Sequence, residues 1–145
     1  MSTTSVKIKR LDPEAILPTR AHPLDAGLDL YALETSDCPI DKVGKVRTGI
    51  AVQIPKGYVG IIRDRSSVSQ RGLKITAGII DAGYTGDITA CFLNMSGKYN
   101  GFFKGDKVAQ LLIIPVLLPE IEVVETLDPM EVSERGEKGF GSSGK

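Results

Sequence analysis

The segment Gly78-Ile79-Ile80-Asp81-Ala82-Gly83-Tyr84-Thr85-Gly86-Asp87 sets a carboxylate and an aromatic ring three residues apart on a turn between two apolar runs. An aspartate is ordinarily ionised at neutral pH, and at Asp81 such a group has the chemistry to activate a water. Tyr84 offers a flat face to a sugar or base, and the backbone around Gly78, Ile79 and Ile80 offers hydrogen bonds to a base edge. The competing structural role is a plain hairpin tip, with Asp81 stabilising its own turn and Tyr84 covering the core. Arg65-Ser66-Ser67 brings a cation and two hydroxyls to the start of a short helix, where free N–H groups favour an anion; a simple serine cap with a surface arginine is the alternative. Asp29, in Asp25-Ala26-Gly27-Leu28-Asp29-Leu30, suits the shell of a hydrated Mg²⁺. Gln110, in Gly105-Asp106-Lys107-Val108-Ala109-Gln110-Leu111, is a polar group among apolar ones that needs a partner, either ligand or protein.

The last residues, from Arg135 to Lys145, join a guanidinium, the Phe140 ring and the Ser142 and Ser143 hydroxyls to several glycines. Ordering such a tail costs about 1–2 kcal/mol of backbone entropy per residue, which a bound ligand would offset. Arg135 suits phosphate, Phe140 suits a flat base, and glycines such as Gly141 let N–H groups approach oxygen closely, so the tail reads as a lid over a nucleotide. A frayed terminus is the ordinary alternative.

Strands must position these groups. Apolar residues alternate in Val6-Lys7-Ile8-Lys9 and at Val46, Thr48, Ile50, Val52 and Ile54. Short apolar runs at Tyr58–Arg63, Leu73–Ile80, Ile88–Leu93, Val108–Val116 and Ile121–Val124 are separated by turn signals, which predicts an all-β barrel or sandwich. Ser66-Ser67-Val68-Ser69-Gln70-Arg71, ending before Gly72, predicts one helix of one or two turns.

A chain of 145 residues that is 41% hydrophobic suits a single domain with an ordinary core. Eighteen basic and eighteen acidic residues cancel, which leaves no broad positive field for nucleic acid or an acidic membrane, so phosphate recognition must be local. His22 is the only histidine and sits in a loop, which excludes multi-histidine metal sites within one chain. Cys38 and Cys91 lack CxxC spacing and the amino terminus carries no apolar signal segment; both features predict reduced thiols and an intracellular location, in cytoplasm or nucleus.

Together, Ala26-Gly27-Leu28-Asp29-Leu30, Arg65-Ser66-Ser67, Gly78-Ile79-Ile80-Asp81 with Tyr84 and Gly86, Gly105-Asp106-Lys107-Val108-Ala109-Gln110, and Arg135-Gly136 with Gly139-Phe140-Gly141-Ser142-Ser143-Gly144 resemble, in order, the five motifs of the homotrimeric dUTPase family. The resemblance spans nearly the whole chain. It implies a jelly-roll-like β-barrel over residues 1–132, a flexible carboxy-terminal lid over 133–145, and trimers whose three active sites draw on all subunits. It implies Mg-dependent hydrolysis of dUTP to dUMP and pyrophosphate, which limits uracil in DNA and supplies dUMP for dTMP synthesis. Asp81 would orient the water that attacks the α-phosphorus. Tyr84 would lie against the deoxyribose, and the backbone of Gly78, Ile79 and Ile80 would read uracil. Arg65, Ser66, Ser67 and Gln110 would hold the phosphate chain, and Asp29 would meet Mg²⁺ through water. Arg135 and the Ser142 and Ser143 hydroxyls would contact the terminal phosphate, Gly141 would be a further substrate-binding position, and Phe140 would stack over the base.

Ile75, Thr76 and Ala77 stand near where some bacterial members carry an asparagine facing uracil, so base recognition would rest on main-chain groups. Ser67 and Ser143 replace a frequent glycine and threonine. A dCTP deaminase, or a bifunctional deaminase, shares the fold, but its glutamate proton shuttle corresponds to Cys91 here. A regulatory nucleotide-binding protein is the alternative from another class.

Overall fold

Side-chain alternation at a two-residue period runs through most of the computed structural model, which describes residues 5–129 and 134–141. In chain order the elements are β1 (Lys7–Arg10), β2 (Leu28–Tyr31), β3 (Ser36–Cys38), β4 (Val43–Arg47), β5 (Ile50–Gln53), β6 (Tyr58–Arg63), α1 (Ser66–Ser69), β7 (Leu73–Thr76), β8 (Ile79–Ile80), β9 (Thr89–Asn94), β10 (Asn100–Phe102) and β11 (Lys107–Pro115). Every ladder among the described residues is antiparallel. The strands form small sheets, β1-β5, β10-β3, β2-β11-β6-β8 and β4-β9-β7, around one core in a jelly-roll-like all-β arrangement. The ladders remain separate and do not close into one continuous barrel.

Leu30, Val46, Ile50, Val52, Ile54, Leu73, Ile88, Phe92, Val108 and Leu111 supply the fully buried apolar interior. Along β9 the inward positions are Ala90, Phe92 and Asn94. Phe92 packs on Phe102 with ring centroids 5.0 Å apart, and the Arg71 guanidinium covers Phe102 at 4.7 Å. Asn94 is buried without an orphaned polar atom: its amide donates to Cys38 O and Lys98 O, while Oδ1 accepts from the Ser96 N–H and hydroxyl.

Several expectations change. Residues 73–80 form two strands rather than one run, because Ala77 and Gly78 both take left-handed φ, 62° and 106°. A side chain at Gly78 would also meet Ile62 O at 2.8 Å, so glycine allows both the turn and the close crossing. Beyond that kink the chain changes sheets: β7 pairs with β9, whereas β8 pairs with β6. The Asp81 turn is therefore a crossover between sheets and not a hairpin tip.

The alternation from Val46 to Ile54 spans two strands, β4 and β5, broken at Thr48-Gly49. Helix α1 is a single turn whose N-cap is Arg65, with no side-chain cap hydrogen bond, so the expected serine cap is absent; buried Val68 pins it instead. Ile121–Val124 is not a strand, since residues 116–129 leave β11 as an exposed irregular segment with no neighbouring ladder. Three strands escape the sequence pattern, β2, β3 and β10; two of them are rich in polar residues or glycine and pair mainly through backbone.

Candidate active site

Strand β11 is the axis of the first half of the site. It lies between β2 and β6, so Gln110 stands opposite Asp29 on one side and Arg63 on the other. The Gln110 amide donates to Asp64 O at 2.9 Å, and its Oε1 lies where a β-carbon on Gly27 would sit, only 2.2 Å away. The 26–28 backbone can approach this amide only without a side chain at position 27.

Asp29 is buried and divides its carboxylate between two cations. Oδ1 accepts from Arg65 Nε at 3.0 Å and Oδ2 faces Lys107 Nζ at 3.0 Å. Arg65 is thereby aimed beside Ser66, and these groups line a cleft of about 340 Å³ with Ala21, Asp25, Gly27 and Gln110. Arg65, the Ser66 hydroxyl and the Gln110 amide give the cleft its donors, beside Asp25 and an Asp29 carboxylate already paired with Arg65 and Lys107, a donor set suited to phosphate oxygens. A helix of one turn contributes little dipole, so the Arg65 guanidinium and the Ser66 hydroxyl carry that suitability.

Asp64 fastens the end of β6 to β7. Its carboxylate accepts from Ile75 N–H at 2.6 Å and Lys74 Nζ at 2.8 Å. Burial pushes its pKa up, but Lys74 and the Ile75 N–H together outweigh burial and hold the carboxyl below the ordinary aspartate value.

The second half of the site follows the kink. Ile62, Ala77, Gly78, Ile79, Ile80, Tyr84, Asp87 and Thr89 line a separate hollow of about 210 Å³. Asp81 follows β8 directly, is exposed, and closes a turn through its carbonyl, which accepts from Tyr84 N–H at 3.0 Å. Its carboxylate makes no hydrogen bond or ion pair among the described residues. The turn is thus a backbone matter, and the carboxylate is left available for chemistry. Tyr84 does not cover the core; it is 44% exposed at the rim of the hollow.

The two clefts share no lining residue, and no described tail residue lines either. Arg135 bonds Lys138 O at 2.8 Å, and Phe140 is fully exposed. Arg135, Phe140 and Gly141 are thus not brought to the other site residues within one chain, while Ser142 and Ser143 lie outside the described residues.

The dUTPase family model matches residues 13–144. The chain belongs to the dUTPase family. It is 43% identical to the deoxyuridine 5'-triphosphate nucleotidohydrolase of Mycolicibacterium gilvum, covering 98% of this chain and 96% of that one. The corresponding enzyme of Corynebacterium jeikeium is 40% identical, with coverages of 96% and 92%. The Staphylococcus bacteriophage 80alpha dUTPase with dUpNHpp superposes with a TM-score of 0.87 at 34% identity, over 99% of this chain and all of that one. A mutant dUTPase from phage phi11 of S. aureus, described with a structural Mg(II) ion, gives a TM-score of 0.76 at 31% identity, over 85% of this chain and 98% of that one.

Within this dUTPase-family site, three residues went unread as site residues in the sequence. Lys107 completes the cation pair on Asp29, Asp64 ties the phosphate-side segment to β7, and Asp87 lies in the wall of the second hollow. Lys107 and Asp87 stand inside or beside the motif blocks, which was the available signal; Asp64, immediately before Arg65, has none beyond adjacency.

Proposed function

We propose that this chain hydrolyses dUTP to dUMP and pyrophosphate, with Asp81 as the base that orients and deprotonates a water attacking the α-phosphorus. The observation that carries this reading is the exposed Asp81 carboxylate, without a partner among the described residues, beside a base-sized hollow on a chain that elsewhere gathers Arg65, Ser66 and Gln110 in a second cleft. Arg65, Ser66, Ser67 and Gln110 bind the phosphate chain. Backbone groups of Gly78, Ile79 and Ile80 bind uracil in a space too small for an added methyl group. Tyr84 packs on the deoxyribose and disfavours a 2′-hydroxyl.

The donor set fits Mg²⁺ held mainly by the triphosphate. No cluster of three or more His, Cys, Asp or Glu side chains that could hold a metal exists among the described residues, and both Asp29 oxygens already meet cations. Asp29 would therefore meet the ion through its water shell, and the ion would supply charge neutralisation along the phosphates.

The complete site is assembled between subunits of a homotrimer. Two observations support this: the phosphate cleft and base hollow are separate on one chain, and the segment after β11 exposes Leu117, Leu118, Ile121, Val123 and Leu127. An apolar run of that kind is suited to a neighbouring subunit. Residues 133–145 act as a lid, with Arg135 and Ser142-Ser143 on the terminal phosphate and Phe140 over the base.

Replacing Asp81 with Asn tests the proposal. Turnover of dUTP should fall by about 10²–10⁴-fold, while affinity for dUpNHpp stays within about threefold because the amide still fills the site. Undiminished turnover would exclude Asp81 as the base. The deaminase alternative requires a proton shuttle where this chain has Cys91, a half-buried thiol lining neither cleft.

A further inference from the structure

Tyr84 is held in place by a chain of contacts that leads out of its own loop. Its hydroxyl donates to Asp87 O at 3.0 Å. Its ring lies so close over Gly86 that a β-carbon there would meet Oη at 2.5 Å and Cζ at 2.7 Å, so the bare backbone forms a seat for the ring. Asp87 is in turn tied to the β4–β5 corner, nearly forty residues earlier in the chain. One carboxylate oxygen accepts Gly49 N–H at 2.9 Å and the other accepts Arg47 Nε at 2.9 Å. The next residue continues the attachment: Ile88 N–H donates to Ile50 O at 2.9 Å, and Ile88 O accepts from the Thr48 N–H and hydroxyl.

A ring excludes a 2′-hydroxyl only if it cannot retreat. Left on a free loop, Tyr84 would yield to a ribose at the small cost of a loop displacement. With its hydroxyl on the Asp87 carbonyl, the ring can retreat alone only by losing that bond, and it can retreat with its loop only by breaking the bonds that the Asp87 carboxylate makes to Arg47 and Gly49 N–H. The Asp87 side chain is 19% exposed and Arg47 is 51% exposed, so the Gly49 bond is the sheltered anchor and Arg47 the outer brace.

Resting on Tyr84 as the deoxyribose-facing ring, we propose that Asp87, braced by Arg47 and Gly49 N–H, is the positioning residue that sets selectivity for deoxyribose over ribose nucleotides. Neither Asp87 nor Arg47 touches the reacting atoms in this scheme. They act through Tyr84.

The test compares kcat/KM for dUTP and UTP, with thermal midpoints, in Arg47→Met, Asp87→Asn, their double variant, Tyr84→Phe and Tyr84→Ala. The dUTP-to-UTP ratio should fall roughly two- to fivefold in Arg47→Met, as suits an exposed brace, and about five- to tenfold in Asp87→Asn. The double variant should match Asp87→Asn, because both substitutions release one tether. Tyr84→Phe, which keeps the ring but loses its bond to Asp87, should lower the ratio as Asp87→Asn does. Tyr84→Ala should lower it furthest. If Tyr84→Ala leaves the ratio unchanged, the sugar-gate reading fails and takes this inference with it. If Tyr84→Ala lowers the ratio but Asp87→Asn and Arg47→Met do not, or if they reduce both substrates equally, the gate stands and the positioning role is overturned.

Discussion

Carboxylates do three different jobs in this chain, and their partners tell them apart. Asp29 is neutralised by Arg65 and Lys107, Asp64 is an anchor for the Ile75 N–H and Lys74, and Asp81 has no side-chain partner among the described residues. For Asp64 the folded pKa is depressed. Its contribution to stability is therefore fully present above the ordinary aspartate value of about 3.9 and is lost as pH falls through the lower folded value. Urea unfolding of wild type and Asp64→Asn across that window should show the gap between them closing as pH falls, with wild type the more stable at neutral pH. A constant gap would contradict the anchor. That Asp81 stands on a turn was legible from sequence, because that placement needs only its own type and its neighbours. Asp64 and Asp87 were not, since their meaning lies in Ile75 and Lys74, and in Arg47 and Gly49, partners that only the fold brings near.

Among the elements, the kink at Ala77-Gly78 does most to create the site. It ends β7, sends β8 across to β6, and leaves Asp81 and Tyr84 on a crossover between two sheets. Gly78→Ala places a β-carbon at φ 106° and 2.8 Å from Ile62 O. We expect a loss of about 1–3 kcal/mol in urea unfolding, together with weaker dUTP binding, because β8 is the backbone proposed to face the base. Retention of both stability and binding would show that the kink is incidental. Strands with alternating or β-branched side chains, such as β6 and β11, are plain in the sequence, whereas β3 and β10 are held by backbone ladders that Ser36-Asp37-Cys38 and Asn100-Gly101-Phe102 do not advertise. Ile121–Val124 failed for the opposite reason: it has strand composition, but a strand also needs a partner, and this segment pairs with no strand among the described residues.

For the whole molecule, the decisive property is that the cleft beside Arg65 and the hollow beside Asp81 share no lining residue within one chain. Removing residues 134–145 should leave the fold and thermal midpoint unchanged, since the described tail residues are exposed and hydrogen-bond among themselves. The same truncation should lower kcat/KM for dUTP by roughly 10²-fold or more through lost positioning; an unimpaired truncated enzyme would contradict the lid. Selective hydrolysis of dUTP is tested by measuring pyrophosphate release from dUTP, dTTP, dCTP and UTP in parallel with Mg²⁺, while following each reaction for deamination. Release should be confined largely to dUTP, with no ammonia from dCTP. Deamination of dCTP, comparable release from dTTP or UTP, or tight dUTP binding without release would contradict it.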